Sequence, residues 1–456
     1  MKSIGSSFRD PSGSMYVEDG ILKRRVNEVY RPDFDLLTSS GLLETLVEQD
    51  LLIQHETHEP ADEDGAYKIL VPEVVPFISY PYEWSFSQLK DAALATLQIQ
   101  TLALDAGMSL KDASAYNIQF VDGRAVLIDT LSFEKLVEGQ PWIAYAQFCQ
   151  HFLAPLALMS LVDIRLGTMS RMFIDGVPLD LASELLPGKT KLRPGLQIHI
   201  HAHAKSQRKR SGDAIKREDV KGRFSLKAFR GLIDNLMGVV RSLEWAPEGT
   251  TWVDYYAEAA HYSEEALDRK RELVTAFVKQ VDPKIVWDLG ANTGMFSRIA
   301  ADHGAHTVAF DVDPGAVEAH YLKTKEDGLS QVLPLVLDLT NPSPPIGWAN
   351  AERDTLEDRG PADLVLALAL VHHLAIGNNV PLGMVASWFA RLTRWLVVEF
   401  VPKNDPKVEF MLGSRDDIFD TYSEAGFEQA FAEPFELRSK EPVGDSGRVL
   451  YLYERR

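Results

Sequence analysis

The chain has little cysteine, little positive charge and no long apolar run. Cys149 is the one cysteine among 456 residues, which excludes internal disulfides and zinc sites built from cysteine clusters. The formal net charge of −19 argues against a nucleic-acid partner, because a surface that follows phosphates must be basic. The polar start does not fit a secretory signal, and the apolar run from Phe152 to Val162 is too short to cross a bilayer. We therefore expect a cytoplasmic protein without a membrane partner.

Length and composition predict a soluble protein of two or three domains. Apolar residues make up 45% and charged residues 25%, the balance of globular proteins. A charged stretch begins at residue 205, and a break rich in proline and glycine lies near residues 244–251. We predict an α+β domain over 1–204, a charged loop with a connecting helix over 205–250, and an α/β domain over 251–456.

In the last part of the chain, apolar runs alternate with helical stretches. Strands are predicted at Ile285–Leu289, Thr307–Phe310, Val332–Leu337, Leu364–Leu370, Trp395–Phe400 and Arg448–Tyr453. Helices such as Met295–His303 and Pro314–Glu326 lie between them. Continuous apolar strands separated by helices predict a parallel sheet with helices on both faces. The first half instead predicts hairpins around Asp19-Gly20 and Asp122-Gly123, and a helix over Ser87–Ala106.

A glycine-containing turn follows the first of these strands. Asp288, Gly290 and Gly294 form the pattern D-x-G-x-x-x-G at the end of a strand and the start of a helix, where backbone N–H groups can meet a ligand. A Walker A loop would need Gly-Lys-Ser or Gly-Lys-Thr, which is absent. A dinucleotide fingerprint would need glycine where Asn292 stands. The looser loop suits a nucleoside cofactor that lacks a pyrophosphate.

These residues resemble the class I methyltransferases that depend on S-adenosylmethionine (SAM), over about residues 251–456. The resemblance implies that the first cofactor-binding motif comprises Asp288, Gly290, Asn292 and Gly294. It implies that Asp311 binds the ribose hydroxyls of SAM and that Asp338 lies beside the adenine. The spacing from the turn to Asp311 fits the roughly 20 residues expected of a ribose-binding acid. Acids at the ends of three successive strands should point toward one crevice.

The fourth predicted strand ends at His372 and His373, and the resemblance implies that this end faces the methyl donor and the acceptor. A hydroxyl acceptor must lose a proton, and the pKa of histidine suits a general base. Glu399, at the end of the fifth strand, could accept a hydrogen bond from the acceptor or from a neighbouring loop. We expect methyl transfer to O or N of a small-molecule or glycan-like acceptor. Tyr255, Tyr256 and Tyr262 could form a lid or pack on the domain.

The first half contains a second group of candidate catalytic and ligand-binding residues. Asp112 and Asn117 precede the hairpin at Asp122-Gly123, and Asp129 follows it, which matches the acid and magnesium ligands of phosphoryl transfer. The segment from about residue 78 to 133 resembles the catalytic segment of protein-kinase-like and small-molecule phosphotransferases, which implies ATP and magnesium as ligands. No glycine-rich loop precedes it. The cation for the phosphates could be Lys23, Arg24 or Arg25.

Three functions therefore stay open for the whole chain. The first half could shape or recruit the acceptor, could transfer phosphate in a bifunctional enzyme, or could be a pseudokinase that presents a protein substrate. The layout, including Tyr82-Glu-Trp84, also resembles long bacterial SAM methyltransferases, some of them associated with nodulation. A metal site at His199, His201 and His203 is the less favoured interpretation, since their context is helical. Arg208-Lys209-Arg210 is expected to be a solvated loop.

Overall fold

The computed structural model describes residues 2–60, 65–205, 224–247, 263–413 and 416–456. They divide into two compact units. The first unit comprises Met1–Ala246 together with Pro345–Arg353, and the second comprises Pro247–Pro344 and Asp354–Arg456. Within the described ranges, no helix has both the length and the apolar character that a membrane span requires.

The first unit opens with an antiparallel sheet of five strands in the order β1-β2-β3-β5-β4. These are β1 (Lys2–Ser3), β2 (Gly13–Glu18), β3 (Ile21–Asn27), β4 (His55–His58) and β5 (Ala66–Pro72). The predicted hairpin joins β2 to β3, with Val17 opposite Leu22. Asp19 and Gly20 have φ of 52° and 79°, the left-handed pair that a tight hairpin turn requires. The hairpin prediction is confirmed.

Helices and two small antiparallel two-stranded sheets complete the first unit. The helices are α1 (Arg31–Ser39), α2 (Leu42–Glu48), α3 (Phe86–Asp105), α4 (Tyr145–Phe148), α5 (Ala154–Leu161), α6 (Met169–Met172), α7 (Leu179–Leu185), α8 (Pro194–Leu196) and α9 (Leu226–Ser242). The remaining strands are β6 (Met108–Leu110), β7 (Ile118–Val121), β8 (Arg124–Leu127) and β9 (Phe133–Lys135), which pair as β6-β9 and β7-β8. A capping box starts α3: the Ser85 hydroxyl accepts from Gln88 N, and the Gln88 side chain accepts from Ser85 N. The α9 helix, expected as a connector, ends on the first unit, where Lys90 Nζ donates to two of its last carbonyls.

The second unit is built on a seven-stranded sheet in the order β12-β11-β10-β13-β14-β16-β15. The strands are β10 (Ile285–Leu289), β11 (His306–Asp311), β12 (Val332–Val336), β13 (Ala362–Ala367), β14 (Thr393–Phe400), β15 (Phe435–Pro442) and β16 (Val449–Arg455). Six of them were predicted, but the expectation of a parallel sheet is wrong at one edge. There β16 runs antiparallel to β14, and β15 antiparallel to β16. The fold is a mixed α/β sheet.

Helices cover this sheet and supply its core. They are α10 (Glu264–Val281), α11 (Met295–Asp302), α12 (Pro314–Asp327), α13 (Leu382–Leu392), α14 (Pro406–Leu412) and α15 (Glu424–Ala432). The buried face of α10 presents Val274 and Phe277 to Val286 of β10, Leu364 of β13 and Val397 of β14. Strand β10 is buried, and its other side chains are apolar. Its one polar residue, Asp288, lies near the carboxyl end, where the glycine turn begins.

Candidate active site

The glycine turn connects β10 to α11 through three residues with left-handed backbones. Gly290, Asn292 and Gly294 have φ of 79°, 52° and 84°. At Gly294 a side chain is also excluded by space, since a Cβ atom would lie 2.0 Å from Nε2 of His320. His320 is 1% exposed, and burial lowers its pKa to about 3. No local sequence pattern marks this histidine, which lies in α12 and packs against the turn at Gly294.

Asp288 lies inside the unit at the end of β10. It is 2% exposed, and its Oδ2 accepts a hydrogen bond of 2.6 Å from Ser297 Oγ in α11. Burial raises the pKa of this carboxyl to about 6. Asp288 therefore ties the end of the strand to the helix that follows the turn, and Ser297 is a partner that the motif did not reveal.

Asp311 joins the glycine turn to the end of the second strand. Asn292 N donates to its Oδ2 at 2.8 Å, and Asp313 N donates to its Oδ1 at 2.9 Å. The backbone N–H groups of Gly290 and Ala291 both donate to Phe310 O, at 2.8 and 2.9 Å. Burial raises the pKa of Asp311 above its ordinary value. Two residues 19 positions apart thus meet where β10 pairs with β11 on one side and β13 on the other, the edge at which open α/β sheets bind ligands.

Asp338 stands at the end of the third strand and is exposed. Its Oδ1 accepts from both the backbone N and the hydroxyl of Thr340, at 2.8 and 2.7 Å, which closes an Asx turn. Leu337 N donates to Asp311 O at 2.8 Å, so the ends of the second and third strands are adjacent. Asp288, Asp311 and Asp338 therefore follow three neighbouring strands at one edge of the sheet.

His372 and His373 follow β13 at the same edge, with ring centroids 4.2 Å apart. His372 is 1% exposed, and neither of its ring nitrogens has a hydrogen-bond partner. His373 is partly exposed. Burial, followed by the neighbouring charges, lowers the pKa of both rings. Of the two predicted bases, His373 is the one whose ring reaches the surface.

Of the two predicted partners of Glu399, an acceptor or a neighbouring loop, the structure shows a bond to the backbone after β13. The side chain is completely buried, and its Oε2 accepts hydrogen bonds from Lys270 Nζ at 2.6 Å and from Ala369 N at 2.7 Å. Arg448 Nη1 lies 3.8 Å from Oε1, and its Nε donates to Asp405 at 2.8 Å. Burying a carboxylate requires such partners. Lys270 and Arg448 were missed because they lie far from Glu399 in sequence.

In the first unit, the predicted magnesium ligand Asp129 forms an ion pair. Arg24 Nη2 lies 2.7 Å from Asp129 Oδ1 and 3.3 Å from Asp10 Oδ2. Burial raises the pKa of Asp129. Among the three basic residues of β3, Arg24 is the one paired with Asp129, whereas Lys23 pairs with Glu18 at 2.9 Å.

The two other predicted residues of this cluster have protein partners. Asp112 Oδ1 accepts from Gln147 Nε2 at 2.8 Å and from Ser114 N at 2.9 Å. Asn117 Nδ2 donates to Ser132 Oγ at 3.4 Å. Asp112 and Asp129 are close enough to raise the pKa of Asp129 electrostatically. Asp112, Asn117 and Asp129 therefore lie around the hairpin that β7 and β8 form.

The alternating histidines serve packing in a helical segment, Gln197–Ala202. His199 bonds to Tyr145 and Asn235, and His201 bonds to Ser183 and Thr190. Among the residues that the structure describes, no group of three or more metal-binding side chains is present. The predicted lid and the predicted basic loop lie outside the described residues: Tyr255, Tyr256, Tyr262, Arg208, Lys209 and Arg210.

A cavity of about 750 Å³ opens in the second unit next to the residues that follow Asp338. Its lining combines apolar, aromatic and charged side chains, among them Leu339, Thr340, Leu374, Asn378, Trp388 and Arg391. The residues that follow β12, the turn after β13 and one side of α13 all line this cavity.

Solved structures resemble this chain over less than half of its length. WbdD matches with 18% identity over 44% of this chain and 42% of its own, at a TM-score of 0.31. The magnesium protoporphyrin IX methyltransferase ChlM from Synechocystis PCC 6803, solved with bound SAH, matches at 17% identity, 42% of this chain, 84% of its own and a TM-score of 0.31. The protein PH0226 from Pyrococcus horikoshii OT3 matches at 18% identity, 44% of this chain, 99% of its own and a TM-score of 0.32.

A curated relative matches almost the whole chain. The nodulation protein NoeA of Rhizobium meliloti (strain 1021) is 36% identical over 460 residues, which cover 99% of this chain and 96% of NoeA. No protein-family model matches. Identity at this level along the full length of both proteins is decisive: the chain belongs to the family of the nodulation protein NoeA.

Proposed function

We propose that this protein is a SAM-dependent methyltransferase that moves a methyl group to O or N of a small-molecule or glycan-like acceptor in the cytoplasm. The observation that carries the proposal is the hydrogen bond from Asn292 N to Asp311 Oδ2. It joins the glycine turn to the acid of the second strand at the ligand-binding edge of the sheet. The antiparallel strand β16 distinguishes this sheet from the parallel dinucleotide-binding sheet.

The residues at this edge fit the cofactor. The Asp311 oxygens accept from Asn292 N at 2.8 Å and from Asp313 N at 2.9 Å. A carboxylate has about four lone-pair sites, so it can also accept from a ribose hydroxyl. Gly290 has a left-handed backbone in the turn where the resemblance expects the amino-acid portion of SAM, and exposed Asp338 stands where the resemblance expects adenine. Bound SAM supplies an electrophilic methyl group on its sulfonium.

The protein side of the reaction is alignment and proton removal. Direct displacement depends chiefly on holding the nucleophile close and in line. Burial and the charges of Lys407 and Arg448 lower the pKa of His373, which favours the neutral form of its ring. A neutral imidazole at this strand end can take a proton from a hydroxyl or amine acceptor.

The acceptor class is tested by incubating the enzyme with native metabolite extracts and isotopically labelled SAM. The proposal expects a small polar or glycan-like product whose mass increases by one labelled methyl group. The Asp311→Ala variant should lose that product. Label that enters proteins alone would contradict a small-molecule acceptor. NoeA is named for nodulation, and that role extends to this chain only as part of this proposal.

A second candidate function is phosphoryl transfer in the first unit, with ATP and magnesium as ligands. The grouping of Asp112, Asn117 and Asp129 around one hairpin supports it, as does the antiparallel sheet that precedes them. Magnesium-dependent ATP consumption that Asp129→Ala abolishes would establish a bifunctional enzyme. Asp122→Asn, in the exposed turn of the same hairpin, is the matched control.

The ion pair between Arg24 and Asp129 favours the third function, a pseudokinase module that presents a protein substrate. A guanidinium 2.7 Å from Asp129 Oδ1 neutralises the carboxylate that would hold magnesium. A module of this kind would consume no ATP. Methyl transfer from labelled SAM to a protein in lysate, lost when residues of the first unit are changed, would support it.

A further inference from the structure

The buried carboxylate of Glu399 reaches a backbone group in the turn that carries the two histidines. Its Oε2 accepts from Ala369 N at 2.7 Å, and the same oxygen accepts from Lys270 Nζ at 2.6 Å. The two ionic side chains are 2% and 0% exposed. Water therefore does not compete for this oxygen, and a bond to a charged group is stronger than a neutral one.

Ala369 is a residue whose conformation needs support. Its φ of 50° lies in the left-handed region, which disfavours residues that carry a Cβ atom. Such conformations persist where the surrounding structure holds them in place. The bond from Ala369 N to Glu399 holds the start of the turn. At its other end, Leu370 O accepts a hydrogen bond from His373 N at 2.9 Å.

Lys270 fixes the carboxylate that makes this bond. It comes from α10, its Nζ lies 4.9 Å from the centroid of the Phe296 ring in α11, and it is buried. Arg448 Nη1, 3.8 Å from the other Glu399 oxygen, is itself held by Asp405. Lys270 and Arg448 thus face Glu399 and Asp405 in the interior. These contacts orient Glu399 toward the strand end rather than toward solvent.

We propose that Glu399, anchored by Lys270, is a positioning residue that holds the Ala369 turn and thereby sets the placement of His372 and His373. The inference rests on the proposed methyltransferase function, because only there does the placement of the histidines determine catalysis. In this role Glu399 affects the acceptor side of the site through the backbone of the turn, and it does not contact the acceptor.

The test compares two double variants that both remove the buried ion pair. Lys270→Met with Glu399→Gln keeps an oxygen that can accept from Ala369 N. Lys270→Met with Glu399→Leu removes that acceptor. Both variants lose one positive and one negative charge, so the net buried charge is unchanged, and the loss of Lys270 affects the buried Asp288 equally in both. Thermal unfolding of each variant verifies that it is folded.

The readouts are amide hydrogen exchange of a peptide spanning residues 367–374 and diethyl pyrocarbonate modification of His372. Loss of a bond to a charged acceptor should raise local exchange and modification about tenfold or more in the leucine variant. The glutamine variant should stay within about threefold of the wild type. Exposed His303 provides the internal reference for reagent access. Equal rates in the two double variants would overturn the inference.

Calorimetric titration with SAM separates this inference from the proposed function. The two variants should bind SAM with affinities within about threefold of each other, because both lack Lys270, which acts electrostatically on Asp288, and the contacts of Asp311 do not involve Glu399. A selective loss of SAM affinity in the leucine variant would assign Glu399 to the cofactor side and overturn its role at the turn. If the wild type fails to bind SAM, the proposed function fails, and the exchange contrast still decides whether Glu399 holds the turn.

Discussion

At the scale of single residues, Gly294 shows why the turn needs glycine for two separate reasons. Its backbone is left-handed at φ of 84°, and the space where a Cβ atom would lie is filled by the His320 ring. Gly304 has a similar φ of 88° but open space around it. The two glycines therefore allow backbone strain and steric overlap to be measured apart.

We expect Gly294→Ala to destabilise the second unit by about 2–4 kcal/mol, since strain of about 1 kcal/mol adds to overpacking of about 1–3 kcal/mol. Gly304→Ala should cost only about 1 kcal/mol. Urea unfolding measures both free energies. Adding His320→Ala to Gly294→Ala should restore most of the difference. An equal loss at the two glycines would show that the overlap with His320 is relieved at no cost.

Asp288 predicts a pH dependence of stability. Burial raises its pKa to about 6, above the value of about 3.9 in an unfolded chain. A carboxyl with a raised pKa in the folded state costs nothing below about pH 4, costs more as the pH rises, and costs its full amount above pH 6. Two units of pKa correspond to about 3 kcal/mol.

Asp288→Asn removes this titration while keeping an oxygen for Ser297. The free energy of unfolding of the variant, relative to the wild type, should therefore rise by about 2–3 kcal/mol from pH 4 to pH 7. Exposed Asp302, changed to Asn on α11, is the control and should show a flat difference. A flat difference for Asp288→Asn as well would mean that this carboxyl has an ordinary pKa in the folded protein.

At the scale of secondary-structure elements, strand β3 carries two neighbouring cations in different surroundings. Arg24 is 10% exposed and pairs with Asp129, which is 15% exposed, whereas Lys23 is 25% exposed and pairs with Glu18 at the surface. The alternation follows from the pleat, because successive side chains point to opposite faces of a strand. The same strand therefore offers both a test and its control.

Arg24→Met should destabilise the first unit by about 2–3 kcal/mol, because it leaves a largely buried carboxylate without its cation. Lys23→Met should change the free energy of unfolding by less than about 1 kcal/mol, as expected for an exposed pair. Thermal or urea unfolding distinguishes the two. Equal effects would indicate that Asp129 is solvated and that the pair with Arg24 contributes little.

Elements differ in how well the sequence predicts them. The strand Ile285–Leu289 was predicted with the bounds that the structure has, because it is a short run of apolar residues, interrupted only by Asp288, that ends at a glycine turn. Strand β15 was not predicted. Its sequence FELRSKEP alternates charged residues along an exposed edge strand, which resembles a solvated loop. Its pairing with β16 depends on residues that only the folded chain brings together.

At the scale of the whole molecule, the parts of the candidate site that follow from local motifs could be predicted, whereas the parts that depend on long-range contacts could not. Asp288, Asp311 and Asp338 could be predicted because each ends an apolar strand. The Lys270–Glu399 pair joins residues 129 positions apart, and no local pattern marks it. The assignment of residues 345–353 to the first unit was likewise not predictable, since it depends on contacts such as that between Glu352 and Arg9 at 2.6 Å.

The central claim is that Asn292 and Asp311 form one SAM-binding site, and calorimetric titration of the full-length protein with SAM tests it most directly. We predict that the wild type binds one SAM per chain and that Asp311→Ala weakens binding at least about tenfold, the loss expected for hydrogen bonds to a charged group. Asp302→Ala should leave the affinity unchanged. Absence of SAM binding by the wild type, or an unchanged affinity in Asp311→Ala, would contradict the account.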